Sequence, residues 1–262
     1  RAGMRRCPLC NAESNRRYMK ATAWNNRHGL ELKQCSSCGF VFTPTSLCNY
    51  PSSVNPYASA TKLELLRLAK EQNIPILVQE IIQKAQLSSG EILDFGCGVG
   101  LTALCLQELG FSVYGIESCQ AYLDKHKELT LRSAKSLDAL NALHNGFDLI
   151  IIKDVLEHVD YPKELLKDIT THLKPGGYLY VRVPNRYHYN FHWSIDTKSH
   201  INHFSPRQLS SLCTQNSLTK IDFIGIHDIS TQVGKLYNSI FWRMRKILPL
   251  YHQISMLYQK AK

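Results

Sequence analysis

Three groups of residues in this 262-residue chain have the types and the spacing that chemistry requires. The first is Asp94-Phe95-Gly96-Cys97-Gly98-Val99-Gly100. Glycines at alternate positions let a backbone turn tightly and let a ligand approach with no Cβ atoms in the way. A pyrophosphate-binding loop would place its third glycine five residues after the first, but Leu101 stands there and the third glycine is Gly100. A pyrophosphate ligand is therefore disfavoured. Glu117 follows an apolar run 21 positions after Gly96, where a carboxylate can accept both hydroxyl protons of a ribose. Loop and acid together predict a pocket for an adenosine-bearing ligand.

The second group is Cys7-Pro8-Leu9-Cys10 and Cys35-Ser36-Ser37-Cys38, two Cys-x-x-Cys pairs separated by 24 residues. Each pair can form a tight knuckle, and Cys7, Cys10, Cys35 and Cys38 can close a tetrahedral thiolate site around a structural zinc. Four thiolates leave no open position for catalysis, so the metal would supply folding energy to a segment too short for a core of its own. The third group lies between two elements late in the chain. It runs Asn185-Arg186-Tyr187-His188-Tyr189-Asn190-Phe191-His192-Trp193 and resumes at His200-Ile201-Asn202-His203-Phe204-Ser205. Aromatic rings and imidazoles there suit recognition of a ring or sugar, with a histidine as general base near neutral pH. The same rings can also simply pack the loop against a sheet.

These groups need a scaffold, and hydrophobic periodicity supplies it. Residues 1–43 are polar and basic and are expected to form a zinc-binding module. Residues 44–90 read as a linker and helical cap, rich in Pro, Ser, Asn and Tyr up to residue 60. Thr61 and Glu64 have capping-box spacing ahead of a helix with Leu63, Leu66 and Ala69 on one face, and a second helix is expected over Ile76–Leu87. From residue 91 to 262 strands and helices alternate. Strands are expected at Ile92–Phe95, Phe111–Glu117, Leu129–Arg132, Phe147–Ile152, Tyr178–Val183 and Ile221–Ile226. Helices are expected at Leu101–Leu109, from Ser118 to about Lys127, at Leu137–Leu143, at Pro162–Leu173 and from Ser205-Pro206 to about Gln215. Alternation at this spacing predicts an α/β fold, a parallel sheet with helices on both faces.

Charge is uneven. Residues 1–33 carry eight Lys or Arg against two acids, residues 235–262 carry six against none, and residues 34–234 hold 17 against 19. Two basic ends thus flank a near-neutral middle. Residues 232–250 can form a basic amphipathic helix on an anionic membrane. They can also pack on the domain, with His252–Tyr258 as the last, edge strand of the sheet, and this packed arrangement is favoured. Nothing approaches the ~18–20 apolar residues of a membrane span. No signal peptide is seen at the start, and the nine cysteines do not form a disulfide pattern. The expected location is cytoplasmic.

Residues 91–226 resemble the class I S-adenosylmethionine-dependent methyltransferases, in the broad group that includes ubiquinone and glycan methyltransferases. The resemblance lies in Leu93-Asp94-Phe95-Gly96-Cys97-Gly98-Val99-Gly100, Val113-Tyr114-Gly115-Ile116-Glu117, Phe147 through Val159, and Leu173-Lys174-Pro175-Gly176-Gly177. It implies a Rossmann-like sheet with S-adenosylmethionine as cofactor. Asp94, Gly96, Cys97, Gly98 and Gly100 would hold its methionine end and Glu117 its ribose, while Asp154 would meet the methionine portion or the acceptor. The pattern His200-x-x-x-Phe204-Ser205 resembles zinc-containing sugar C-methyltransferases, which have a catalytic histidine at the matching place. This chain has Thr197 and Ser199 where those enzymes carry a tyrosine and a glutamate.

The expected function is methyl transfer to a small hydroxylated acceptor, such as a sugar or glycan precursor, with His200 as base, then His203 and then His158. An RNA methyltransferase using the zinc module and basic ends on phosphates is the first alternative, although Val183-Pro184-Asn185 replaces the Asn-Pro-Pro-Tyr type of motif used by base-amine methylators. A non-catalytic cofactor-binding module is the second.

Overall fold

The computed structural model describes residues 6–13, 15–19, 32–44, 56–141, 146–186, 200–224 and 253–262. The basic stretch 232–250, most of the 44–60 linker and the rings of residues 187–193 lie outside the described residues.

The N-terminal part forms β1 (Asn15–Met19), β2 (Leu32–Cys35) and β3 (Val41–Phe42). Two helices follow, α1 (Lys62–Glu71) and α2 (Ile74–Lys84). Thr61 and Glu64 make the expected capping box, with Thr61 N–H donating to Glu64 at 2.8 Å. The buried stripe of α1 runs through Leu65 and Ala69, four residues apart, and Leu63 is 60% exposed. The three-residue spacing of Leu63, Leu66 and Ala69 therefore picks the wrong edge of the stripe. Pro75 sits in the first turn of α2, where its missing N–H costs no hydrogen bond.

The alternating region follows as β4 (Glu91–Phe95), α3 (Leu101–Glu108), β5 (Ser112–Ile116), α4 (Gln120–Glu128), β6 (Arg132–Ala134), α5 (Asp138–Asn141), β7 (Phe147–Lys153) and α6 (Pro162–Thr171). It ends with β8 (Leu173–Pro184), β9 (Asn202–His203), α7 (Pro206–Thr214), β10 (Leu218–Phe223) and β11 (Gln253–Lys260). Seven of these strands form one sheet in the order β10-β11-β8-β7-β4-β5-β6. The five from β8 to β6 are parallel, and β11 runs antiparallel to both its neighbours.

Burial explains this order. Ile150, Ile151 and Ile152 in β7 are all fully buried, because helices cover both faces. Alternate residues point to opposite faces, so Leu93, Ile150 and Ile152 pack with Leu166, Ile169 and Leu209. Ile92, Leu149 and Ile151 pack with Val78, Ile81 and Ala103 on the other side. Several boundaries differ from expectation. β8 starts at Leu173, five residues before Tyr178, and α2 runs over Ile74–Lys84 rather than Ile76–Leu87. The third strand is Arg132–Ala134 rather than Leu129–Arg132, because Leu129 caps α4 and Thr130 takes a left-handed φ of 54°. β10 starts at Leu218, three residues early. β11 is not the edge strand. It is inserted between β8 and β10, buried from Ile254 to Tyr258, and β10 forms the edge.

β1, β2, β3 and β9 form a second, four-stranded sheet. β9 belongs to the alternating region, so the N-terminal strands dock on it through Val41 opposite His203 and Phe42 opposite Asn202. Among the described residues no helix is long and apolar enough to cross a membrane.

Candidate functional site

In the sheet the chain runs outward from β4 through β5 to β6 and then returns to β7 on the other side of β4. Open α/β sheets bind ligands at such a switch point, beyond the carboxyl ends of the strands. Asp94 stands at that end of β4, and Lys153 and Asp154 at that end of β7.

The loop after β4 is shaped by what surrounds it. Gly96 has φ 73°, and a Cβ there would lie 2.5 Å from Val155 Cγ2. Gly98, with φ 54°, faces open space. Its N–H donates to Glu117 Oε2 at 2.9 Å, and Cys119 N–H donates to Glu117 Oε1 at 2.8 Å. Glu117 therefore ties the loop to the start of α4, and Cys119 rather than Ser118 is the N-cap residue. A carboxylate near a helix N-terminus is favoured by the dipole and by the unpaired N–H groups there. The Cys97 thiol points away from the open side. It lies over Gly115, where a Cβ would meet its sulfur at 2.6 Å, and burial pushes its pKa well above the usual value.

Asp94 is 2% exposed, and its Oδ2 finds no hydrogen-bond partner. Burial pushes its pKa up to about 6, although the charge of Lys153 pulls the other way. Asp154 is held differently. Its carboxylate accepts from Arg182 Nε at 3.1 Å and from Arg182 Nη2, its N–H donates to the Arg182 carbonyl at 2.9 Å, and its φ is 59°. Lys153 lies among these charges, with its pKa lowered by burial and by Arg182.

Three residues after Asp154, Glu157 is 1% exposed and neither side-chain oxygen is hydrogen-bonded. Burial, then the charge of Asp154, holds its carboxyl far above the usual range. Its neighbours are His158, with Nε2 3.9 Å from Oε1, and His200, whose ring centroid lies 4.8 Å from that of His158. Their nitrogens and carboxylate oxygens fall within 4.8 Å of one another. Backbone bonds hold the two segments together, since the Glu157 carbonyl accepts from Ile201 N–H at 2.8 Å and Asn202 N–H at 3.1 Å. Asn202 Nδ2 donates to the Leu156 and Val159 carbonyls at 3.0 and 2.6 Å. His203 is separate from this group. It is buried in β9 opposite Val41.

The four paired cysteines converge. Cys7 and Cys38 sulfurs are 3.5 Å apart, as are those of Cys10 and Cys35, and all four lie within 4.8 Å of one another. The residue after each pair, Asn11 or Gly39, has φ 60° or 70°, which turns the chain into a knuckle. Tetrahedral zinc with Zn–S bonds of ~2.3 Å needs sulfur separations of about 3.8 Å, so this donor set fits. The knuckles are anchored to the alternating region. Arg186 donates to the Gly39 carbonyl at 2.8 Å, Gln208 to the Cys38 carbonyl at 3.3 Å, and Thr43 N–H to the Ile201 carbonyl at 2.9 Å. Phe40 meets Phe204 edge to face.

Several residues at the site escape a reading by motif. His126 is fully buried on α4, with Nε2 2.7 Å from the Gly98 carbonyl oxygen and Nδ1 3.0 Å from Ser133 Oγ. Its spacing of three from buried Leu123 was the available signal. Arg182 and Lys153 were hidden in apolar strands, and Glu157 was visible only as part of a longer motif.

Residues 66–222 match a family described as a methyltransferase domain. A ubiquinone biosynthesis O-methyltransferase of Coxiella burnetii is 25% identical over 194 residues, covering 64% of this chain and 83% of that protein. Among solved structures, a SAM-dependent methyltransferase from Archaeoglobus fulgidus has a TM-score of 0.54 at 18% identity, covering 72% of this chain and 94% of that one. The plantazolicin methyltransferase in complex with SAH has a TM-score of 0.52 at 15% identity, covering 83% and 95%. At such identities the structural likeness carries the fold alone. The family match spans more than half of the sequence, and with it the chain belongs to the class I S-adenosylmethionine-dependent methyltransferases.

Proposed function

We propose that this enzyme methylates a hydroxyl group of a small acceptor, a sugar, glycan precursor or related metabolite, with His200 as general base. The observation that carries this is the grouping of His200, His158 and buried Glu157, which shares a charge cluster with Asp94 through Lys153 and Asp154. The O-methyltransferase name of the Coxiella relative supports oxygen as the acceptor atom.

Asp94 and the Gly96, Gly98 and Gly100 backbone would hold the methionine end of S-adenosylmethionine, with Cys97 supporting the loop and Glu117 holding the ribose. Asp94 suits that task because its unpaired oxygen can accept from the ligand's ammonium group. The bound sulfonium supplies an activated methyl group. The chain must then align the acceptor and take its proton. An imidazole nitrogen of His200 would take that proton as the new carbon–oxygen bond forms, while Glu157, kept protonated by burial, adds no charge beside it. His203 is the weaker candidate, since it is buried against β3. Asp154 would act mainly by pinning Arg182. Cys7, Cys10, Cys35 and Cys38 would hold a structural zinc that stiffens the knuckles on which the 200–205 segment is hung.

Replacing His200 by Ala tests the assignment. Loss of methyl transfer by about 10²–10⁴-fold is expected, with S-adenosylmethionine affinity unchanged. Full turnover in the variant would remove His200 from the chemistry. RNA retained at low salt and released by added salt would instead favour a nucleic-acid acceptor bound by the basic ends.

A further inference from the structure

We propose that His126 is a positioning residue for the cofactor, a neutral imidazole carrying its proton on Nε2 that holds the Gly96–Gly100 loop against the end of β6. This rests on reading that loop as the cofactor pocket.

The argument begins with donors and acceptors. Gly98 offers His126 a carbonyl oxygen at 2.7 Å, and a carbonyl can only accept, so Nε2 must bear the hydrogen. A neutral ring has one such hydrogen. Nδ1 is therefore a lone pair, and Ser133 Oγ at 3.0 Å donates to it. Burial outweighs the bond to the Gly98 carbonyl and the Glu117 carboxylate at the end of β5, which each favour a charged ring. The Cys97 sulfur sits 4.0 Å from Nε2, and Lys125 on α4 is directed away, to the Ala58 carbonyl and Glu128. Burial lowers the ring's pKa, which keeps it uncharged.

The consequence concerns one residue of the loop. Gly98 is gripped from both sides, its N–H by Glu117 and its carbonyl by His126. Gly96 is backed by Val155, and Gly100 by Leu131 and His126, so both are fixed by packing. Of the three loop glycines Gly98 alone has nothing within 4 Å of its would-be Cβ, so hydrogen bonds must decide how its peptide groups face the open side. Ser133 extends the brace to β6, so one imidazole sets the spacing between the loop and that strand end.

A histidine that merely fills space gives a different result from one that donates. The test is calorimetric titration of the full chain with S-adenosylhomocysteine. In His126→Phe the dissociation constant should rise about 10–100-fold, the usual consequence of leaving a buried acceptor unpaired. His126→Gln keeps an N–H that can reach Gly98 and should stay within about threefold of wild type. Equal weakening in both variants would overturn the proposal. Ser133→Ala, which keeps the donor to Gly98, should weaken binding less than His126→Phe. Imidazole ¹⁵N spectra of the wild-type protein give an answer that needs no variant. A neutral Nε2–H tautomer at pH 7 is expected, and an Nδ1–H or doubly protonated ring would refute the assignment. Glu117→Ala serves as the control. If it leaves binding intact, the pocket reading itself fails, whereas if it weakens binding and the His126 series does not, only the brace fails.

Discussion

Replacing Asp94 by Asn should make the cofactor-free protein more stable and the cofactor-bound protein less so. The carboxyl is 2% exposed, one oxygen is unpaired, and burial pushes its pKa from an ordinary 3.8 to about 6. At about 1.4 kcal/mol per tenfold change in acidity, holding it ionised at neutral pH costs the native state about 3 kcal/mol. In this window the folded protein binds its proton more tightly than the unfolded chain does. The wild type therefore gains stability as pH falls from about 6 toward 3.8, and the cost is felt in full only above 6. Asn keeps the shape and removes the charge, but its amide still leaves a polar group unpaired, so the net gain should be about 1–3 kcal/mol at pH 7.5. Urea unfolding of both proteins without ligand, at pH 7.5 and pH 5, measures this. The difference should shrink by about 1.4 kcal/mol at pH 5. With S-adenosylmethionine present the ranking should reverse, because only the wild type gains stability from a ligand ammonium it can pair with. An Asn variant less stable than wild type at pH 7.5, or a difference that ignores pH, would show that Asp94 is not an acid held ionised at a cost.

The anchoring of the cysteine knuckles predicts that Cys38→Ser, or zinc removal by a chelator, lowers methyl transfer by about tenfold or more through a misplaced 200–205 segment. S-adenosylhomocysteine affinity should stay within about twofold, because the loop at 94–100 lies on other strands; equal loss of both would contradict this route. Gly115→Ala would place a Cβ 2.6 Å from the Cys97 sulfur and 3.4 Å from Ser133 Cβ. Such overpacking should cost about 1–3 kcal/mol in thermal or urea unfolding. Adding Cys97→Ala should recover most of it, and simple additivity of the two changes would show that they do not touch.

The parallel core was legible because it depends on burial. The apolar run at 149–152 and the Gly–Glu spacing at 96–117 both follow from needs of the backbone that sequence displays directly. The errors came where the decisive partner was distant. Leu129–Arg132 looked like a strand by composition, but pairing with Tyr114–Ile116 selects Arg132–Ala134. His252–Tyr258 looked like an edge, but the buried face that β11 shares with β8 draws it inward. The same held at the site. Asp94 and Glu117 stand in a recognisable motif, while Arg182 and Lys153 come from apolar strands whose local sequence gives no reason for a charge, and His126 is an uncharged ring set among the Asp, Lys and Glu of α4. His200 and Glu157, 43 positions apart, become neighbours only through Ile201 and Asn202 bonding to one carbonyl.

The charges at the switch point differ in whether they are already answered. Asp154 adopts a left-handed backbone unusual for a non-glycine residue, and it is held there by Arg182 through both its carboxylate and its N–H. That acid is committed, and any further contact must share it with a guanidinium. Asp94 is not committed, because no cation touches its buried Oδ2 and Lys153 acts on it only at a distance. A ligand that carries both an ammonium and a sulfonium brings two positive charges to this place. It gains most where an acid is buried, ionisable near neutral pH and still unpaired. Of the two aspartates only Asp94 meets that description, which is why cofactor recognition should depend far more on Asp94 than on Asp154. Asp154→Asn should therefore register first as loosened packing around Arg182 and only weakly in cofactor affinity.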